Sequence, residues 1–154
     1  MTRRASSFVA EVTLTIERST STAYVQAVVR EFVRAHGGSS KDEWSLAIAA
    51  SEASTNIAKF ATIGTLSLRV IAGPPRLFEL VAEDDGPGFA DPENALRDHV
   101  SEGVDLAAVE ARPRGRGLGT GLGAIVRAMC ALRIERREGG GARLIGRRRA
   151  GSRS

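Results

Sequence analysis

The 154-residue chain has 42% hydrophobic and 26% charged side chains, a balance that predicts one globular domain with a core and excludes a disordered or multidomain protein. No apolar run approaches the roughly 20 residues that cross a bilayer, and the first residues do not resemble a signal peptide, so we expect a cytoplasmic protein. A single cysteine and two histidines exclude an internal disulfide and a clustered zinc site.

Charge is distributed unevenly along the chain. Residues 1–111 carry a net charge of −6, whereas residues 112–154 carry +10. A basic segment of this kind suits nucleic acid, an acidic protein or the phosphates of a nucleotide. The segment contains no aromatic residue on which bases could stack, so nucleic acid is the least favoured of these partners.

Hydrophobic periodicity predicts the elements of the first part of the chain. Apolar residues alternate over 8–16, which predicts a strand with one buried face. Apolar residues at helical spacing, preceded by hydroxyl residues that can cap, predict a helix over 21–35. Ser40 followed by Glu43 fits a capping box, and it predicts a long helix over 40–61.

A hairpin and a long polar segment follow. Residues 66–70 and 77–82 flank the turn Gly73-Pro74-Pro75 and predict two antiparallel strands. The segment 89–116 is polar and contains glycine and proline, with a short helix predicted at 93–100, and we expect it to be a mobile lid. The remaining predicted elements are a helix that opens in the glycine segment 117–123 and ends by Ala131, and strands over 132–136 and 142–147.

Glu52 and Asn56 form the first candidate site. Their i, i+4 spacing places a carboxylate and an amide on one face of the predicted long helix, about one turn apart. Taken alone, such a pair is typical of a solvated surface. The surrounding segment 49–57 is rich in alanine and serine, which leaves the backbone accessible and allows the pair to line a cleft.

The second candidate is the acidic, glycine-containing segment 83–89, which follows a predicted strand. Its glycines permit close approach of a ligand, and a carboxylate such as Asp85 can accept a hydrogen bond from a ligand amino group. The spacing of oxygen ligands that is typical of a calcium-binding loop is absent from this segment. A plain acidic turn is the alternative.

The third candidate is the segment 115–123, which has five glycines at alternate positions before a predicted helix. Exposed backbone amides and a helix N-terminus would hold phosphates. The segment is neither a P-loop nor a dinucleotide fingerprint, because the required lysine and the required spacing are missing. A flexible linker is the alternative.

In this order the three segments resemble the N, G1 and G2 boxes of the Bergerat-fold (GHKL) ATPases, the superfamily of DNA gyrase, histidine kinases and MutL. The form Ala-Ser-Glu-x-x-x-Asn-Ile at 50–57 and the segment 82–88 look most like the anti-sigma-factor serine/threonine kinases. Two details are most similar to the RsbT-type switch kinases. Phe60 stands where anti-sigma factors often have histidine, and the glycine segment 115–123 resembles the corresponding segment of the switch kinases. The resemblance covers about 9–147.

The resemblance implies a two-layer α/β sandwich with a mixed, mainly antiparallel sheet and helices on one face, and it makes 1–154 a single ATP-binding kinase domain. It implies that Glu52 is the general base, that Asn56 is the Mg²⁺ ligand, and that Asp85 accepts a hydrogen bond from the adenine amino group. The resemblance implies further contacts with the nucleotide. Gly86 and Gly88 would line the pocket, and the phosphates would be bound by Gly117, Gly119, Thr120 and Gly121. Arg114 and Arg116 either approach the γ-phosphate or are solvated surface charges.

The implied function is an ATP- and Mg²⁺-dependent protein serine/threonine kinase of a bacterial partner-switching pathway, which controls a sigma factor or a stressosome. Its substrate would be a STAS-domain antagonist, and its second partner a PP2C-type phosphatase or a sigma factor; a homodimer is compatible with this class. The alternatives are an anti-sigma factor, a non-catalytic ATP-gated binding module and, least favoured, a nucleic-acid adaptor. The sequence departs from the family pattern at two places. Ala142 stands where the family commonly has a threonine that helps to bind adenine, and the lid is longer than that of the switch kinases, with 105–113 as the additional residues.

Overall fold

One antiparallel sheet with helices packed against it forms the described part of the chain. The computed structural model describes residues 8–60, 63–84, 122–136 and 141–151. In chain order the elements are β1 (Phe8–Ile16), α1 (Thr22–Ala35), α2 (Ser40–Phe60), β2 (Gly64–Ile71), β3 (Leu77–Asp84), α3 (Leu122–Ala128), β4 (Ala131–Arg136) and β5 (Ala142–Arg149). The predicted lid at 89–116 and its short helix lie outside the described residues.

The strands are ordered β1-β2-β3-β5-β4. All four pairings between these strands are antiparallel, so the predicted mixed component is not seen among them. The predicted hairpin is confirmed, because β2 and β3 pair from Gly64↔Asp84 to Ile71↔Leu77. The register of β1 against β2 shifts between Phe8 and Ala10, which marks a bulge at the outer end of β1.

The helices cover one face of the sheet, which confirms the two-layer α/β sandwich. Alternate residues of each strand point to the same face, and on the helix-facing side most of these residues are apolar and buried. The sheet contributes Ile16, Leu66, Leu68, Val70, Phe78, Leu80, Leu132, Ile134 and Leu144 to the core, and the helices contribute Val25, Val29, Val33, Leu46, Ala49, Ala50, Ala53, Ile57 and Ile125. No helix in the described ranges combines the length and apolar character needed to cross a membrane.

The start of α2 is capped one residue earlier than predicted. The backbone N–H of Asp42 donates to Ser39 Oγ over 3.0 Å, and the backbone N–H of Ser39 donates to the Asp42 carboxylate over 2.9 Å. The capping box therefore consists of Ser39 and Asp42, and the prediction of Ser40 and Glu43 is wrong. Glu43 instead accepts a hydrogen bond from Arg34 of α1 over 2.8 Å.

Asp42 also forms a buried ion pair with Arg148, near the end of β5. Arg148 Nε donates to Asp42 Oδ1 over 2.8 Å, and Arg148 Nη1 donates to the carbonyl oxygen of Ala128, the last residue of α3, over 2.9 Å. The backbone N–H of Gly151 donates to Asp42 Oδ2 over 2.6 Å. Both charged side chains are buried, so the pair connects the first turn of α2 to β5 and α3 inside the domain.

The surroundings of Asp42 favour its charged form. Burial alone would raise the pKa of the Asp42 carboxyl, but hydrogen bonds from the backbone N–H groups of Ser39 and Gly151 and from the Arg148 guanidinium outweigh it. The pKa therefore lies below its ordinary value. A carboxylate that is stabilised only in the folded state contributes to folding stability, and this contribution disappears in acid.

The face of the sheet opposite the helices carries a row of alternating charges. Glu11, Arg69, Glu79 and Arg147 are cross-strand neighbours on β1, β2, β3 and β5. Arg69 pairs with Glu11, and Glu79 accepts from Arg69 over 3.3 Å and from Arg147 over 2.8 Å. Glu79 is buried between these two arginines, which compensate its charge.

Ion pairs within the fold neutralise part of the uneven charge of the sequence. Arg143 lies 3.3 Å from Glu83 and Arg147 lies 2.8 Å from Glu79, while Arg148 forms the buried pair described above. These arginines belong to the basic segment 112–154, and their partners belong to the acidic part of the chain. The basic segment therefore supplies counter-charges to the sheet and to α2.

Replacing Asp42 by asparagine is expected to lower the free energy of unfolding by about 3–5 kcal/mol, because the Arg148 guanidinium is then buried without a counter-charge. Denaturant-induced unfolding at neutral pH measures the difference. The unfolding free energy of the wild type should also fall as the pH drops below about 4, the ordinary pKa of aspartate, because the unfolded chain then takes up a proton before the folded one does. Asp42→Asn should lack this part of the acid dependence.

Glu11→Gln is a matched control, since Glu11 belongs to an ion pair at a partly exposed position. Its unfolding free energy should stay within about 1 kcal/mol of the wild type. An equally small loss for Asp42→Asn would mean that the buried pair does not hold α2 against β5.

Candidate functional site

The C-terminal half of α2 and the end of β3 meet at one end of the domain. Gly64, the first residue of β2, is the cross-strand neighbour of Asp84, the last residue of β3. A Cβ atom at Gly64 would overlap the carbonyl oxygen of Glu83 and would lie 2.7 Å from a methyl carbon of Ile57. Only glycine allows α2 and β3 to approach this closely.

The start of β5 closes on the same end of β3. Gly141 has φ +90°, in the left-handed region that favours glycine, and a Cβ atom there would overlap the carbonyl oxygen of Asp84. Asp84 is buried, and by strand alternation it follows Phe78, Leu80 and Ala82 on the face that meets the helices. Asp85, the predicted adenine-binding residue, comes directly after it in the sequence.

Asn56 lies on α2 next to Ile57, the residue that contacts Gly64. Its side chain is 5% exposed, and neither Oδ1 nor Nδ2 has a hydrogen-bond partner in the described part of the chain. A buried amide without partners costs roughly 1–3 kcal/mol, so groups of this kind call for an explanation. A ligand that binds the amide would supply one.

Glu52 lies one helical turn before Asn56 and is half-exposed. The two side chains thus differ in accessibility: the carboxylate can meet a second protein, whereas the amide faces the interior.

The donor set around Asn56 fits Mg²⁺ bound together with phosphates. In the ranges that the structure describes, no group of three or more His, Cys, Asp and Glu side chains could hold a metal ion. Magnesium in nucleotide sites typically takes only one or two protein ligands and completes its shell with phosphate oxygens and water. The amide oxygen of Asn56, which has no partner within the described ranges, can serve as such a ligand.

The remaining predicted nucleotide contacts lie outside the described residues. They are Asp85, Gly86, Gly88, Gly117, Gly119, Thr120 and Gly121, together with the lid arginines Arg114 and Arg116. Of the described positions, Ala142 is buried and pairs with Arg136 of β4, so it lies inside the sheet directly after Gly141.

Two features of α2 were missed by the sequence analysis. Asp42 is part of the buried ion pair, and its spacing before Leu46 and Ala49 places it on the core-facing side of the helix, which was an available signal. Trp44 and Ile48 are 48% and 45% exposed, although both are large and apolar. Each lies two residues from Leu46, which places it on the side of α2 opposite Leu46 and Ala50, so the helical periodicity was an available signal here as well.

Comparison with known proteins identifies the family. The model of the histidine kinase-like ATPase domain matches residues 17–145, so the chain belongs to this family, and the resemblance to Bergerat-fold ATPases is confirmed. Membership implies ATP binding. No curated protein sequence matches the chain significantly.

Among solved structures, a chain of the crystal structure of the SiaB–SiaC complex from Pseudomonas aeruginosa is similar to this protein. The TM-score is 0.68 at 17% sequence identity, and the match covers 92% of this chain and 90% of that chain. At this identity the similarity shows a shared fold across nearly the whole domain.

Replacing Asn56 by leucine is expected to stabilise the nucleotide-free protein by about 1 kcal/mol or more, because it removes a buried amide without partners and keeps a similar shape. The same variant should lose the increase in melting temperature that Mg²⁺ and ATP give the wild type. Denaturant unfolding and thermal unfolding with and without nucleotide measure the two effects.

Ser54→Ala is the control, because Ser54 is also buried on α2 but its hydroxyl donates to the Ser51 carbonyl over 2.9 Å. It should bind Mg²⁺ and ATP like the wild type. If Asn56→Leu instead destabilises the nucleotide-free protein, the amide has a partner within the protein and is not held open for a ligand.

Proposed function

We propose that this domain is an ATP-dependent protein serine/threonine kinase of a bacterial partner-switching pathway, most similar to the RsbT-type switch kinases, and that it phosphorylates a STAS-domain antagonist. The observation that carries the proposal is the pair on α2: a buried amide with no hydrogen-bond partner among the described residues, one turn from a half-exposed carboxylate. The fold and the family are those of an ATP-binding domain.

In this proposal each residue has a defined part. Glu52 accepts the proton of a serine or threonine hydroxyl of the substrate while the hydroxyl oxygen forms a bond to the γ-phosphorus of ATP. The bond between the γ-phosphorus and the bridging oxygen breaks at the same time, and ADP leaves. Asn56 holds Mg²⁺, which when bound offsets the negative charge that develops on the phosphate oxygens. Asp85 selects adenine by accepting a hydrogen bond from its amino group.

A protein partner is supported by the solved structure of similar fold, which was determined as a complex of two proteins. The STAS class of the substrate rests on the resemblance to the switch kinases, and so does a second partner of the PP2C-type phosphatase or sigma-factor class. A non-catalytic module that binds ATP only to gate a partner is the competing function. The two functions differ in whether Glu52 is needed.

Replacing Glu52 by glutamine should leave ATP affinity within about twofold and lower the rate of phosphoryl transfer by roughly 10²–10⁴-fold, because the amide keeps the shape of the side chain but cannot accept a proton. Single-turnover transfer from γ-labelled ATP to purified STAS-domain proteins of the source organism measures the rate, and calorimetry measures the affinity.

Glu11→Gln is the control, as Glu11 lies on β1 on the sheet face opposite the helices. It should transfer phosphate at the wild-type rate. A wild-type rate in Glu52→Gln would remove the general base from the proposal, and absence of transfer by the wild-type protein to every STAS-domain protein would favour the gating module.

Replacing Asp85 by asparagine should weaken ATP binding at least about tenfold and reduce the preference for ATP over GTP, because a neutral amide oxygen is a weaker acceptor for the adenine amino group than a carboxylate. Calorimetric titration with both nucleotides measures this. An unchanged ATP affinity in a variant with a wild-type melting temperature would contradict the adenine contact.

A further inference from the structure

One side of α2 carries an exposed apolar pair in line with the proposed general base. Residues three or four apart on a helix lie on the same side. Lys41, Trp44, Ile48, Glu52 and Thr55 are exposed or half-exposed positions on this side. We call this set the α2 stripe.

Trp44 and Ile48 are the apolar part of the α2 stripe. They are 48% and 45% exposed, whereas Leu46 and Ile57, the other large aliphatic side chains described on this helix, are buried. The Arg30 guanidinium carbon of α1 lies 3.9 Å from the centroid of the Trp44 ring, a cation–π contact that holds the indole against the surface. A rigid aromatic side chain beside an aliphatic one is typical of a protein-binding surface.

The charge at the Trp44 end of this apolar pair is net basic. Arg30 and Arg34 both pair with Glu43, at 3.5 and 2.8 Å, so two positive charges share one carboxylate. Glu31 is a further carboxylate that interacts electrostatically with Arg34. Lys41, one turn before Trp44, has no ion-pair partner among the described residues. A ligand that carries carboxylates next to apolar side chains is complementary to such a surface.

The distance to Glu52 relates this surface to the reaction. A helix rises about 1.5 Å per residue, so Ile48 and Trp44 lie about 6 and 12 Å before Glu52 along the axis. An extended chain advances about 3.3–3.6 Å per residue. A segment whose hydroxyl reaches Glu52 therefore places residues about two and four positions away beside Ile48 and Trp44.

From these observations we infer that the α2 stripe is the docking surface for the phosphoacceptor protein. Its occupant is a segment of that protein with apolar side chains about two and four residues from the acceptor hydroxyl and at least one carboxylate near Arg30 and Lys41. The inference rests on the proposed function, because it takes Glu52 as the point of phosphoryl transfer. It adds the recognition site that selects the protein substrate.

Trp44 is the only tryptophan of the chain, and it therefore reports on docking directly. Each purified STAS-domain protein of the source organism is added in turn, and the fluorescence of the same mixture with Trp44→Phe is subtracted to remove the signal of the added protein. Docking should shift the Trp44 emission to shorter wavelength as the ring leaves water. The kinase-deficient Glu52→Gln variant should give the same shift.

Kinetics supply the second measurement. Ile48→Ser should raise KM for the protein substrate about tenfold or more and leave kcat and ATP affinity unchanged, because Ile48 contacts the substrate and not the nucleotide. Lys41→Glu should raise KM most at low salt, since salt screens the interaction of exposed charges. Val9→Ser is the control, because Val9 is 64% exposed on β1, away from α2, and its KM should stay at the wild-type value.

The outcomes separate the two proposals. Phosphoryl transfer with no change in Trp44 emission and a wild-type KM in Ile48→Ser would overturn the docking surface and leave the kinase function standing. An emission shift without transfer would support the docking surface and contradict the kinase function. Neither shift nor transfer with any STAS-domain protein would contradict both.

Discussion

The buried pair of Asp42 and Arg148 sets the position of α2, and the candidate site depends on that position. The carboxylate accepts from the backbone N–H of Ser39 at the start of α2 and from that of Gly151 after β5, and it pairs with an arginine that also binds the last carbonyl of α3. The N-terminal end of α2 is thereby fixed to β5 and α3. Because a helix is stiff, fixing its first turn also fixes where Glu52 and Asn56 lie more than two turns later.

At the other end of α2 the fit depends on the absence of side chains. Gly64 and Gly141 let β2 and the start of β5 approach the last residues of β3 more closely than any Cβ atom would allow. The result is a tightly packed strand end next to a buried amide that has no partner of its own in the described part of the chain. Strong fixation at the ends of α2 allows one unfavourable group to persist between them, as is common at binding sites.

The sequence was sufficient for most of the framework, because period-two and helical patterns report directly on buried faces. The hairpin of β2 and β3 was predicted in this way. The cap of α2 was missed by one residue because Ser39 and Ser40, like Asp42 and Glu43, are locally equivalent; the choice is made by Arg148, which lies 106 residues away. The different burial of Glu52 and Asn56 likewise depends on which elements pack around α2, which no local pattern contains.

The two outer strands of the described sheet affect how copies of the protein can associate. The register shift near Phe8 interrupts the free edge of β1, and β4 is short and carries Arg133 and Glu135. Irregular and charged edges are poor templates for adding a strand from another molecule. Open-ended sheet polymers are therefore disfavoured even at high protein concentration, and any assembly of copies is expected to use the faces of the domain, so that it closes on itself rather than growing.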